Sequence, residues 1–191
     1  METEAEQTCS NQTNDNIVIS DDKQLVDVQL VHDYLCNHSY WAKDILYSVV
    51  QTSIDNSYCI GAYVNNNNNV NGNDEKKLKQ IGFARLITDY STFGWLADVF
   101  VLPEYRGKGV SKLMVEHLLA QKWTDYMRRI MLSTSDAHGL YSRYGFQHIP
   151  TNAPTLPMAI LKLNAHQLQL QDLKIKQQQQ LEQEQEIKEK I

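Results

Sequence analysis

The stretch from Val99 to Lys112 constrains this chain more than any other part of it. A β-branched and aromatic run, Val99-Phe100-Val101-Leu102, stops at Pro103, and the small residues Gly107 and Gly109 follow. Val110, Leu113, Met114, His117 and Leu118 then recur at i, i+3, i+4, i+7 and i+8, the spacing of one helix face. A strand, a Gly-rich turn and a helix start gather several backbone N–H groups and the positive end of a helix dipole at one point. Such a point binds anions, and phosphate is its usual guest.

Spacing narrows the guest. A dinucleotide fingerprint needs Gly at 107, 109 and 112, and the chain has Lys112. A P-loop needs Gly at 102 and Ser or Thr at 109, and the chain has Leu102 and Gly109. What is left is either a Gly-rich strand–helix turn without a ligand or a different phosphate loop. Arg106-Gly107-Lys108-Gly109-Val110-Ser111 resembles the pyrophosphate loop of the GCN5-related N-acetyltransferase (GNAT) superfamily, Arg/Gln-x-x-Gly-x-Gly/Ala. Ser111 stands where that pattern has Gly or Ala. Farther on, Leu140-Tyr141-Ser142-Arg143-Tyr144-Gly145-Phe146 resembles the second signature of the superfamily, a short helix carrying Leu-Tyr followed by Gly-Phe. Gly145 is suited to end that helix in the left-handed conformation.

The resemblance covers roughly residues 17 to 163 and implies a mixed α/β fold, a central mixed but mostly antiparallel sheet flanked by helices. It also implies acetyl-CoA as co-substrate. In that case backbone groups of Val99, Phe100 and Val101 clamp pantetheine and supply the oxyanion donor. The pyrophosphate falls to the N–H groups of Gly107, Lys108, Gly109, Val110, Ser111 and Lys112, with Arg106 beside them. Tyr141 stands at the position of the general acid that protonates the leaving thiolate. Many relatives place Glu or His at the strand position held here by Ala97. The candidate bases are therefore Asp98, next to it, and His138, one turn before Tyr141; a water chain would also serve. Strict alternation puts Asp98 on the face opposite Ala97, and a bulge would re-aim it.

The chemistry implied is N-acetyl transfer to a primary amine, first of a small molecule, by direct attack through a tetrahedral intermediate. A peptide N-terminus or lysine is the second acceptor class, and an acyl-CoA-binding module without catalysis is the third reading. Tyr34, Tyr40, Trp41, Tyr90, Phe93 and Trp95, with Asp33, Asp44 or Asp89, are candidates to surround a cationic amine. The resemblance also leaves room for a homodimer.

Composition sets the outer limits. The net charge is −5. Glu2, Glu4, Glu6 and Asp15 put −4 on residues 1–16, and four lysines against Asp172, Glu182, Glu184, Glu186 and Glu189 put −1 on residues 164–191. The region between is neutral, so no basic footprint for nucleic acid is present. No apolar run is long enough for a membrane span. Met1-Glu2-Thr3-Glu4 lacks a basic start and an apolar stretch, so the cytoplasm is the expected compartment. Cys9, Cys36 and Cys59 have neither metal-ligand nor redox spacing, so reduced thiols and no metal are expected.

Periodicity divides the chain into a disordered tail (1–16), one domain (17–163) and a Gln/Glu/Lys-rich tail (164–191) that is solvated and partly helical. Strands are expected at Ile17–Ile19, Tyr58–Val64, Gln80–Asp89, Phe93–Leu102, Arg129–Thr134, Phe146–Ile149 and Met158–Leu163. A helix capped by Ser20-Asp21-Asp22 should bury Leu25, Val28, Val31 and Leu35, and a second should use Ile45, Leu46, Val49, Val50 and Ile54. Further helices are expected at Lys108–Lys122 and Ala137–Tyr144. The Asn65–Asn69 run reads as a polar hairpin loop.

Overall fold

The computed structural model describes residues 17–65, 78–149 and 165–189. Five strands form one sheet: β1 (Ile17–Ser20), β2 (Tyr58–Asn65), β3 (Leu78–Thr88), β4 (Phe93–Val101) and β5 (Arg129–Leu132), in the spatial order β1-β2-β3-β4-β5. The first four pair antiparallel and β5 runs parallel to β4, the mixed and mostly antiparallel sheet expected.

The central strands are nearly continuous apolar runs because both of their faces are covered. On one face lies α3 (Val110–Leu119), where Met114 and Leu118 are fully buried against Ile60, Ala62, Ala84, Leu86 and Leu96. On the other lie α1 (Val28–Asp33), the turn that follows it and α2 (Tyr47–Asp55), with Val31, Leu35, Val50 and Ile54 packed on Cys59, Phe83 and Phe100. The side chains of Phe83 and Ala84, adjacent in β3, therefore serve opposite cores.

Several boundaries differ from expectation, each for a local reason. Asp22 caps only a short 3-10 turn, Lys23–Leu25, and Val26 is extended. The helix starts after Asp27, whose carboxylate accepts from the Leu30 N–H at 3.0 Å. Past Asp33 the coil widens into a π-turn over Tyr34–His38. The α3 helix starts later than expected because Gly109 sits in the left-handed region and cannot belong to it, and it ends at Leu119, ahead of a 3-10 turn at Lys122–Tyr126. Residues 138–144 form a single turn, α4 (His138–Tyr141), then a 3-10 turn ended by left-handed Gly145. Phe146–Ile149 is not a strand, because a strand needs a ladder and no described residue pairs with it. The strand expected at Met158–Leu163, the Asn65–Asn69 run beyond Asn65 and the tail at 1–16 lie outside the described residues. Ala165–Glu189 forms one helix, α5, on which Leu173, Ile175, Leu181 and Ile187 are all exposed. No described helix is both long and apolar enough to cross a membrane.

Candidate active site

The site begins where two strands part. The parallel ladder of β4 and β5 runs from Phe93 opposite Arg129 to Leu96 opposite Leu132 and ends there. β4 continues to Val101, so among the described residues the outer edge of Ala97 to Val101 has no neighbouring strand. The Leu102 N–H donates to the Ile81 carbonyl at 2.9 Å, which makes Val101, opposite Gly82, a non-hydrogen-bonded position in the antiparallel ladder. Its own N–H and C=O accordingly face away from β3, toward the parted strands. Arg106 Nε donates to that C=O at 3.1 Å. Phe100, by contrast, sits opposite Phe83 with its ring buried in the core. Of the three expected clamp residues, Val101 turns its backbone outward and Phe100 supplies packing.

Val99 owes its position to a bulge. The β3–β4 register passes from Phe83 opposite Phe100 to Arg85 opposite Ala97, leaving Asp98 and Val99 both against Ala84 and outside the ladder. Asp98 has φ 52°, a left-handed conformation that costs a non-glycine residue about 1–2 kcal/mol. Two side chains hold it there, and a third braces one of them. Arg85 Nε donates to Asp98 Oδ2 in an ion pair whose side chains are 16% and 10% exposed. Trp41 Nε1 donates to Oδ1 at 2.9 Å, and Arg85 donates a second hydrogen bond to Ser57 Oγ at 3.2 Å. Both carboxylate oxygens are thus engaged, an arrangement suited to holding backbone rather than to taking a proton.

The loop after β4 has the geometry that its glycines foretell. Gly107 and Gly109 have φ 76° and 78°, and no side chain caps the helix at Gly109. The Leu113 N–H bonds to the Gly109 carbonyl, so the N–H groups of Val110, Ser111 and Lys112 precede the helical ladder. Val110 is buried and anchors the turn. Lys108 lies over the ring of Tyr105 at 5.1 Å, and Lys112 pairs with Glu116 at 3.9 Å on an exposed surface where such a pair contributes little. Arg106 turns inward, to Val101 and to the Tyr34 hydroxyl at 2.8 Å.

On the far side of the gap, Tyr141 is buried and lines a cavity of about 950 Å³ together with Leu132, Thr134, His138 and Phe146. Burial first, then the charges of Asp136 and Tyr40, push its phenol up to about 12. The phenol therefore stays protonated throughout the physiological range. His138 is exposed on the same cavity, its ring 5.2 Å from that of His148.

The aromatic candidates separate into groups. The Tyr40 hydroxyl accepts from Ser135 Oγ at 2.7 Å, while its neighbour Trp41 reaches Asp98, so these two residues span from the β4 bulge to the turn after β5. Phe93 and Trp95 lie on the part of β4 that pairs with β5. Tyr34 is buried, and Tyr90 packs edge-on against Tyr58 and Trp123. Two of the carboxylates expected beside an amine are engaged elsewhere. Asp89 accepts from the N–H groups of Ser91, Thr92 and Phe93 and holds its own turn, which draws its pKa well below the carboxylate range, with the Thr92 hydroxyl the largest cause. Asp33 bonds Asn37 at 2.8 Å and lies 3.7 Å from His38. Asp44 is exposed, at φ 61°. Among the described residues, no three His, Cys, Asp or Glu side chains converge as a metal site.

Arg85, Ser57 and Ser135 are absent from the sequence-level reading. Arg85 carried a usable signal: it is a lone cation in the apolar run Ile81 to Ile87, and a charge so placed needs a partner. Nothing in the local sequence marks either serine.

A family model for the acetyltransferase (GNAT) domain matches residues 70–148. A Gibberella zeae protein whose name assigns it to the acetyltransferases is 32% identical over 142 residues, 70% of this chain and 80% of that protein. A crystal structure of a GNAT-family protein from Xanthomonas campestris pv. campestris is 40% identical, with a TM-score of 0.66 over 78% of this chain and 96% of its own. A histone acetyltransferase of Glycine max is 29% identical over 119 residues, and the chain covers 50% of it.

Proposed function

The chain belongs to the GNAT family and is an acetyl-CoA-dependent acyltransferase, and from that premise we propose that its acceptor is the primary amine of a small molecule. The observation that carries the small acceptor is the pair Tyr40–Trp41. Tied to Ser135 on one side and Asp98 on the other, it bridges the parted strands with two aromatic side chains, which favours a small acceptor over an extended one.

In this reading pantetheine lies along the outer edge of β4, on the backbone of Val99 and Val101, and the pyrophosphate meets the N–H groups of residues 107–112. Each exposed helix-terminus contact contributes about 0.3–1 kcal/mol, so the donors act as a set. The amine loses a proton, attacks the thioester carbonyl, and the oxyanion of the tetrahedral intermediate takes a hydrogen bond from the Val99 N–H. The C–S bond then breaks and Tyr141 protonates the sulfur. An ordinary thiolate is a weaker base than a phenolate of pKa 12, which would make that transfer uphill. A thiolate shielded from water is a stronger base than in solution, which narrows that gap. Asp98 holds the bulge, and the amine proton leaves through His138 or water. Work in the cytoplasm is part of the same proposal, in keeping with the free thiols of Cys36 and Cys59.

A thiol-release assay over small amines and peptides, with acetyl-CoA binding measured by calorimetry, tests the reading. Turnover on small amines is expected. Turnover confined to peptides would overturn the small acceptor and favour the second reading, which the name of the Glycine max relative supports. Tight acetyl-CoA binding with no turnover on any acceptor would favour a silent binding module.

A further inference from the structure

We propose that Arg85 and Trp41 are positioning residues of the transfer reaction, acting through Asp98 to fix the β4 bulge and with it the direction of the Val99 N–H. The proposal rests on the acetyl-transfer reading above.

Three observations carry it. Asp98 is a non-glycine residue in a left-handed conformation inside a strand, and such a conformation persists only where the surroundings over-determine it. The surroundings here are two donors on the two carboxylate oxygens, one from β3 and one from the segment before α2. The Arg85–Asp98 pair is also nearly buried, 16% and 10% exposed, where an ion pair is a poor way to gain stability compared with apolar packing. A directional role accounts for its presence. Asp98 and Val99 share the bulge, so the rotation that the carboxylate enforces at residue 98 sets the peptide plane carrying the N–H of residue 99.

Trp41 adds a second consequence. It lies beside Tyr40, ring centroids 4.9 Å apart, and Tyr40 reaches the turn after β5. The carboxylate that shapes the oxyanion donor therefore also anchors the segment facing the acceptor. Order on the acceptor side and order at the donor are coupled through one side chain.

The test uses Trp41→Phe, Arg85→Gln, Arg85→Lys and Asp98→Asn in the full chain. Trp41→Phe keeps an aromatic ring at a half-exposed position while removing the indole N–H and the smaller part of the bicycle, so it should fold. We expect kcat to fall about 10-fold in Trp41→Phe and about 100-fold in Arg85→Gln, the scale of a small misplacement in a site, with KM for acetyl-CoA within about twofold. Arg85→Lys should recover part of the loss. In Asp98→Asn the acidic limb of the pH–rate profile should keep its position, whereas removing a general base would abolish it. Independently of activity, the ¹⁵N–¹H resonance of Val99 should move in Trp41→Phe and Arg85→Gln while those of Gly107 to Lys112 respond to acetyl-CoA as in the parent. An active parent whose two variants keep both kcat and the Val99 resonance overturns this proposal alone. A parent that transfers no acetyl group overturns the transfer reading itself.

Discussion

The ring of Tyr34 lies flat on that of Phe100, centroids 3.8 Å apart and planes within 7°, and its hydroxyl accepts a hydrogen bond from Arg106. This relationship joins the end of α1, the core side of β4 and the first residue of the Gly-rich loop after β4. Tyr34→Phe keeps the stack and removes the acceptor. A part-buried hydrogen bond from a charged donor contributes about 1–3 kcal/mol, so chemical denaturation should register a loss in that range. Acetyl-CoA affinity should weaken as Arg106 loses one of its two anchors. Unchanged stability and affinity would mean that the loop is held without Tyr34.

Gly109→Val should abolish acetyl-CoA binding in calorimetry. The residue has φ 78°, where a side chain adds about 1–2 kcal/mol of strain, and its position opens the helix whose first N–H groups are the proposed phosphate donors. Circular dichroism should remain that of the parent, because α3 is anchored by Val110, Met114 and Leu118 in the core. A variant that binds as tightly as the parent would remove this loop from the cofactor site.

Tyr141→Phe should lower kcat by about 10²–10⁴-fold, the range for losing a general acid, with little change in acetyl-CoA affinity. The ring stays in its core position and only the hydroxyl is lost. Unaltered turnover on a good acceptor would exclude Tyr141 from the proton transfer.

Asp89 governs an acid-dependent stability. Its folded pKa is depressed by the hydrogen bonds of the 89–93 turn, so its contribution is present above the unfolded value near 4 and is lost as pH falls toward the folded one. The melting temperature of Asp89→Ala should lie below that of the parent at neutral pH, and the gap should close progressively below about pH 4. A gap that stays constant down to pH 2 would contradict the role of the carboxylate in the turn.

Removing residues 165–191 should leave melting temperature and turnover unchanged. Of the described apolar side chains of α5, Leu170 is half-buried and those at 173, 175, 181 and 187 are exposed, so the helix contributes little burial. A large drop in either quantity would give the tail a structural role.

The sheet, the helix after β4 and the backbone of the Gly-rich loop before it were legible in the sequence because each depends on short-range chemistry. Period-2 and continuous apolar runs specify strands, the i, i+3, i+4 pattern specifies α3, and Gly107, Gly109 and Gly145 occupy the positive φ angles that glycine tolerates best. Helix starts were less legible where several capping residues compete: Ser20, Asp21, Asp22 and Asp27 all suit the position, and only packing of Val31 and Leu35 on Phe83 and Phe100 selects Asp27. The role of Asp98 was decided by tertiary structure alone. Its alternation in sequence pointed to one face, and a bulge, set by a register shift against β3, delivered the carboxylate to Arg85 and Trp41, thirteen and fifty-seven residues away. Arg106 follows the same rule, since its partner Tyr34 is seventy-two residues distant. Local sequence sets backbone preference over a few residues; which polar side chains meet depends on register and on how the layers close, and those are properties of the whole fold.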